Sequence, residues 1–313
     1  MVARPARDPA PLLLLGAHFS TAGGLYTALE RAAALHAPAV QIFTHNRAQW
    51  RTRPLTDEEI ARFRRVAGER GPFALAAHSS YLINLASPDR DLRERSIRTL
   101  IAELDHCADL GIPLLVLHPG AHMAAGERAG IRRIARALAR ALETTRQRQG
   151  ARAARLALEI TAGQGTSLGW RFEQLAEILG RLAHAAEARV CFDTAHAFAA
   201  GYAFRTPEDY ARMWRAFDRA IGLERIAIFH CNDSLTPCGS RVDRHTHIGR
   251  GKIGGVPFAW LLNDPRFTRV PKVIETPKEG DMDRRNLALL RRLARMRPFP
   301  PEAGPAPLGA EPG

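Results

Sequence analysis

The chain has 313 residues, 46% of them apolar, enough for one large α/β domain or two small ones with a sizeable core. No apolar run approaches the roughly 18 residues of a membrane span, and the short run Leu12-Leu13-Leu14-Leu15 has no small-residue cleavage site after it, so a cytoplasmic protein is expected, nucleoid-associated if bacterial. Lys and Arg outnumber Asp and Glu 45 to 32; the net charge of +13 points to an anionic partner, nucleic acid before membrane.

Nearly all of that positive charge is Arg. Lysine occurs only as Lys252, Lys272 and Lys278, the composition of a GC-rich genome, which explains Arg over Lys but not the excess over acids. Cys107, Cys191, Cys231 and Cys238 form no CxxC pair and lie mostly in or beside apolar runs, so buried free thiols are expected. Residues 1–10 and the Pro/Gly/Ala-rich 298–313 read as disordered tails around a single domain over 11–297.

Within that domain, strands and helices alternate. Strand one covers 12–16 and ends near His18, and a helical pattern runs from Gly23-Gly24 to Leu35. Strand two is 39–43, followed by a helix over 58–68. Strand three ends at His78, before a helix over 89–110. Strand four ends at His118, before an Arg-rich helix over 131–148. Strand five ends at Glu159, before a helix over 172–186. Strand six ends at Asp193, before a helix over 207–221. Strand seven ends at His230, followed by a long loop and a short helix over 258–262. Strand eight ends at Glu275, and a last helix covers 284–296. Eight short apolar strands with intervening helices predict a (β/α)8 TIM barrel. A doubly wound open sheet would spread the strand ends along a line.

Six consecutive strands end in His78, His118, Glu159, Asp193, His230 and Glu275, side chains that bind zinc and related metals. Asp193 alone reads equally well as a cap on the next turn; the repetition tips the balance. His196, Asp243 and His245 lie just past strand ends and bring the set to nine. Nine exceeds the four ligands of one tetrahedral zinc and suits two or three metals with a bridging carboxylate. Three divalent cations against four carboxylates and a bridging hydroxide leave one positive charge, which favours a phosphate over a neutral sugar.

Several segments in order resemble the endonuclease IV family of zinc-dependent apurinic/apyrimidinic (AP) endonucleases of base-excision repair. They include Gly16-Ala17-His18-Phe19-Ser20, His78-Ser79-Ser80-Tyr81-Leu82, His118-Pro119-Gly120-Ala121-His122, Asp193-Thr194-Ala195-His196, His230-Cys231-Asn232-Asp233 and Val242-Asp243-Arg244-His245. The resemblance runs from about Leu15 to Arg295. It implies three Zn²⁺ per chain, with Mn²⁺ possible at one site. His78, His118 and Glu159 would hold the first ion, and Glu159 would bridge to a second completed by Asp193, His230 and Glu275. His196, Asp243 and His245 would hold the third. A hydroxide bridging two zincs would attack the phosphorus 5′ to an abasic site, leaving a 3′-hydroxyl and a 5′-deoxyribose phosphate. Glu159, Glu275 and Asp193 would serve catalysis, with Glu275 assisting the hydroxide; trimming of blocked 3′ ends is also implied.

The implied partner is double-stranded DNA bearing an abasic site or a blocked 3′ end, bound by a monomer away from any membrane. Tyr81 and Leu82 match the family's wedge positions, which would replace the flipped nucleotide in the stack. The Arg of a second wedge is Ala48 here, with Arg47 one residue earlier. The Asn common after the bridging Glu is Ile160, which removes a possible supporting hydrogen bond. Arg47, Arg205, Arg241, Arg244 and Lys252 are expected on the DNA backbone; Arg241 and Arg244 could instead pair with neighbouring carboxylates. The rival reading is a metal-dependent sugar isomerase or epimerase on the same barrel, using Glu159, Asp193, His230 and Glu275 alone.

Overall fold

The computed structural model describes residues 13–182 and 188–296. Eight parallel strands close into a barrel: β1 (Leu15–His18), β2 (Ala39–Phe43), β3 (Ala74–His78), β4 (Leu114–Leu117), β5 (Arg155–Glu159), β6 (Ala188–Asp193), β7 (Ile226–His230) and β10 (Lys272–Ile274). The ring order is β1-β10-β7-β6-β5-β4-β3-β2, so β10 closes the barrel between β7 and β1. The expected TIM barrel is what forms.

Strand period 2 sorts each strand between two cores. Ala39, Ala76, Leu114, Val116, Ala157, Cys191, Ile228 and Val273 fill the barrel interior as one cluster. Their neighbours, among them Val40, Leu115, Leu158, Val190, Phe192 and Ile274, face outward into the larger core shared with the helices. Small residues (Ala39, Ala76, Ala157, Cys191) alternate around the interior with larger ones (Leu114, Val116, Ile228, Val273). At Gly16 the closure is tightest: a Cβ would fall 1.6 Å from the carbonyl oxygen of Ala39 on β2.

The helical layer consists of α1 (Tyr26–Ala34), α2 (Asp57–Arg70), α3 (Arg90–Leu110), α4 (Glu127–Gln149), α5 (Phe172–Gly180), α6 (Thr194–Ala200), α7 (Pro207–Ala220), α8 (Gly255–Asn263) and α9 (Met282–Leu293). Local sequence sets their ends. Thr56 and Glu59 form a reciprocal capping box on α2. Asp89 caps the N-terminus of α3, and Gly111 ends it in the left-handed conformation. Thr206 caps α7, with Pro207 at its first position.

Some expected boundaries shift. β1 begins only at Leu15 and ends at His18 as expected, α4 begins one turn early at Glu127, and α9 ends at Leu293. α5 stops at Gly180 rather than continuing to 186; residues 183–187 lie outside the described residues, as do both expected tails, 1–10 and 298–313. Two elements were not anticipated: α6, directly after β6, and a small antiparallel ladder of β8 (Asp233–Ser234) with β9 (His245–Thr246). Cys107, Cys191 and Cys231 are buried free thiols, as expected, but Cys238 is exposed at the tip of that ladder. Among the described residues no helix is long and apolar enough to cross a membrane.

Candidate metal centre

Each of the six strand-end residues stands two positions beyond a member of the interior cluster. His78 follows Ala76, His118 follows Val116, Glu159 follows Ala157, Asp193 follows Cys191, His230 follows Ile228 and Glu275 follows Val273. The pleat therefore aims all six inward, one layer above the barrel's apolar plug. α6 brings in His196, and the β8–β9 ladder carries Asp243 and His245 across the mouth.

Glu159 is at the centre and fully buried. Its Oε2 lies 3.0 Å from both His78 Nε2 and His118 Nε2, and its Oε1 lies 3.0 Å from His230 Nδ1 and 3.1 Å from His196 Nδ1. His230 Nδ1 is also 3.2 Å from Glu275 Oε2 and 3.9 Å from Asp193 Oδ2. On the other side, His196 Nε2 is 3.2 Å from both Asp243 Oδ2 and His245 Nε2, and His245 Nε2 is 3.7 Å from Asp193 Oδ2. Three groups of nitrogen and oxygen donors stand out: His78, His118 and Glu159; Glu159, Asp193, His230 and Glu275; and Asp193, His196 and His245, with Asp243 beside them, while the Cys191 thiol also lies close to Glu159 and His230. The first and second share Glu159, the second and third share Asp193.

These groups fit divalent cations on two counts. Donors about 2.0–2.2 Å from a tetrahedral zinc lie about 3.3–3.5 Å from one another, close to many of the separations here; the two facing nitrogens of His196 and His245 are the clearest case. The charges also agree. Burial pushes Glu159 and Glu275 up, yet His230 and His118 beside the first, and His230 and His18 beside the second, hold both carboxyls well below the usual range. Against its own burial, Asp243 is lowered by His196 and His245. Ionised carboxylates packed this deeply require positive charge among them.

The surrounding hydrogen bonds aim the imidazoles. His78 Nδ1 donates to the Ser79 carbonyl at 2.8 Å, which leaves Nε2 for the cluster. His230 Nε2 donates to Gln41 Oε1 at 2.9 Å, leaving Nδ1. His196 Nδ1 donates to the Ile160 carbonyl at 2.9 Å, leaving Nε2. The main chain at Ile160 thus supports a ligand whatever its side chain, which is buried in the outer core.

Three polar residues here were not assigned roles from sequence. Gln41 joins His230 to Glu275, donating from Nε2 to Glu275 Oε1 at 2.6 Å. His18 Nδ1 lies 3.2 Å from the same oxygen. Asn232 donates to Asp193 Oδ2 at 2.6 Å and accepts from the Glu275 amide at 2.7 Å, tying β6 to β10. Gln41 carried a signal: it is the one polar residue in the strand Ala39-Val40-Gln41-Ile42-Phe43, two beyond interior Ala39. Asp193 meets both readings offered for it. Its Oδ1 caps α6 by accepting from the His196 amide at 2.8 Å, while Oδ2 faces the cluster.

Around the mouth is a cleft of about 400 Å³ lined by Tyr81, His118, His196, Asp243, His245 and Glu275. Tyr81 is 53% exposed and stands over it, edge-on to Phe43 and His78, with Leu82 half-buried beside it. Arg47 is exposed, its guanidinium 5.5 Å from the Tyr81 ring. Among the described residues Arg241 pairs with no carboxylate. It stacks 4.4 Å from Trp170 and donates to the Gly163 carbonyl, fastening the β5–α5 loop to the ladder. Arg244 is exposed and donates to the carbonyl of Asp243; Arg205 and Lys252 are exposed farther out.

Residues 29–296 match the family model of the xylose isomerase-like TIM barrel. Over 94% of its length the chain is 48% identical to a probable endonuclease 4 of Geobacter sulfurreducens, covering 98% of that protein. A probable endonuclease 4 of Chloroflexus aggregans is also 48% identical, over 90% of this chain and 98% of the relative. The crystal structure of endonuclease IV from Thermus thermophilus superposes with a TM-score of 0.79 at 36% identity, covering 89% of this chain and 98% of that one. A D-tagatose 3-epimerase-like protein superposes with a TM-score of 0.69 at 18% identity, which speaks for the barrel alone. With near-complete coverage in both directions, the chain belongs to the endonuclease IV family, AP endonucleases of DNA repair built on the xylose isomerase-like TIM barrel.

Proposed function

We propose that this protein hydrolyses the phosphodiester 5′ to an abasic site in duplex DNA, leaving a 3′-hydroxyl and a 5′-deoxyribose phosphate, and that it also removes blocking groups from 3′ ends. The observation that carries this reading is the trio of donor groups linked through Glu159 and Asp193 at the floor of an open cleft. His78, His118 and Glu159 would hold one zinc, Glu159, Asp193, His230 and Glu275 a second, and His196, Asp243 and His245 a third, with manganese acceptable at one position. When bound, such ions supply a nucleophile at neutral pH and share the negative charge of the phosphoryl transition state.

The protein's own groups do the rest. Glu159 is fully buried with His78, His118, His196 and His230 packed within 3.1 Å of its oxygens, so its two oxygens would stay aimed at the groups on either side without reorganisation. Glu275 is the carboxylate best placed to take a proton from the nucleophile. Its Oε1 is anchored by Gln41 and His18, while the side chain keeps 12% of its surface open to the cleft. Tyr81 and Leu82, with Arg47 alongside, would enter the helix at the lesion, where the missing base lowers the cost of unstacking. Arg244, Arg205 and Lys252 would neutralise backbone phosphates, with affinity falling steeply as salt rises. Arg241 would reach the strand only from its Trp170 stack.

The sugar-isomerase reading leaves His196, Asp243 and His245 without a task, and nothing else in the cleft favours it. The test is incision of an end-labelled duplex carrying one abasic site, with metal counted in the same preparation. A cut on the 5′ side leaving a 3′-hydroxyl, by protein holding two to three ions, is the expected outcome. Absence of cutting by fully metallated protein would refute the reading.

A further inference from the structure

Two loops rise side by side at the mouth, 44–56 after β2 and 79–89 after β3. Beneath them α3 presents Glu103, a carboxylate only 1% exposed, from the interior of a 21-residue helix anchored in the core. Its Oε1 accepts from the Ser80 amide at 2.9 Å and lies 2.7 Å from His45 Nε2. A backbone amide can only donate, so Oε1 accepts from Ser80, and one hydrogen is shared between Oε1 and His45 Nε2. The link continues upward: Ser80 Oγ donates to the Arg47 carbonyl at 2.7 Å and accepts from the Leu82 amide at 3.2 Å.

One buried oxygen is therefore joined to both loops. His45 and Arg47 are on one side, Ser80, Tyr81 and Leu82 on the other. Among the described residues the remaining buried polar atoms of this pocket, Glu103 Oε2, His45 Nδ1 and Thr44 Oγ1, have no partner. Burying a carboxylate here without full satisfaction costs stability. That cost is accepted where the loops need a fixed point.

We propose that Glu103 is a positioning residue that locks the two loops into one unit, so that Arg47 and the Tyr81-Leu82 pair enter lesion-containing DNA together. The inference rests on the wedge reading above. Its physical content is preorganisation: loops ordered before encounter do not have to be ordered at the moment of binding.

The test uses metallated full-length protein and a duplex with a tetrahydrofuran abasic analogue opposite 2-aminopurine, whose fluorescence rises on unstacking. Glu103→Ala is expected to raise Kd and KM about tenfold, a loss of ~1.4 kcal/mol. The fluorescence rise should diminish, kcat should stay within about twofold and metal content should be unchanged. Glu103→Gln keeps an acceptor oxygen and should restore binding. Ser80→Ala cuts the link to Arg47 without touching the buried carboxylate and should raise Kd about threefold; it serves if Glu103→Ala does not fold.

Added to an Arg47→Ala/Tyr81→Ala/Leu82→Ala background, Glu103→Ala should weaken binding no further. A full additional loss in that background would overturn the proposal, as would wild-type affinity in both Glu103→Ala and Ser80→Ala. If the wedge-less background itself bound the lesion normally, the wedge reading would have failed first, and the proposal with it.

Discussion

Two layers of side chains, separated by one pleat of the same strands, have opposite characters. The lower layer, with Ala76, Val116, Ala157, Cys191, Ile228 and Val273, is dry and apolar and closes the barrel. The upper layer, with His78, His118, Glu159, Asp193, His230 and Glu275, is equally buried over most of its members yet wholly ionisable. Backbone and burial are shared, so the difference lies in side-chain chemistry and in what the neighbours supply. The lower layer gains from leaving water. The upper layer loses by it unless positive charge is brought in. A lone lysine on the same strands makes the contrast sharper: Lys272, one residue before interior Val273, faces the outer core beside the Phe229 ring and donates to the carbonyls of Phe267 and Val270, with no carboxylate ion pair among the described residues.

The largest expected effect comes from breaking the upper layer at its centre. Glu159→Ala should lower abasic-site incision by at least about 10³-fold and reduce bound metal, while the barrel still folds; wild-type incision in that variant would refute the shared-carboxylate arrangement.

A titration of Lys272 should come next. Burial pushes the Lys272 pKa down to about 8 from an ordinary 10.5. Between those values the unfolded chain binds more protons than the folded one, so this residue's penalty is full below about pH 8 and fades as pH rises toward 10.5. Relative to Lys272→Met, the wild type should gain up to about 3 kcal/mol of unfolding free energy across that window. A constant difference from pH 7 to 10.5 in denaturant titrations would show that the lysine is not desolvated.

Removing a support from the upper layer should have a smaller effect. Gln41→Leu frees both His230 Nε2 and Glu275 Oε1 from the amide that links them. Zinc affinity, read by competition with a chelator, should fall about 10–100-fold with secondary structure unchanged; unaltered affinity would reduce Gln41 to a packing residue. The smallest effect belongs to the rim. Tyr81→Ala with Leu82→Ala should weaken binding to abasic duplex about tenfold and leave the metals in place. Wild-type affinity for the lesion in that double variant would remove these residues from recognition.

The barrel was legible because its strands announce themselves. Runs such as Leu114-Leu115-Val116-Leu117 are short, apolar on both faces and cut off by an ionisable residue. α6 was missed because it has seven residues, begins at the very end of β6, and buries six of them, so it has no polar face to reveal a helical period. The β8–β9 ladder was missed because a two-residue strand carries no pattern. Glu103 lies in a long helix rich in charged residues. In the fold it shares the buried stripe of Ser96, Thr99, Leu100 and Cys107, and that position was its only signal.

By itself the sequence determined the strand and helix alternation and the inward direction of the six strand-end residues. Both follow from local periodicity and from which side chains end each strand. Tertiary structure alone decided that Asp193 would join Glu159 as a second shared member, that Gln41, His18 and Asn232 would brace them, that Arg241 would stack on Trp170, and that Glu103 would join two loops. These depend on distances between residues tens to hundreds of positions apart, set by barrel closure and loop packing, and no local pattern encodes them.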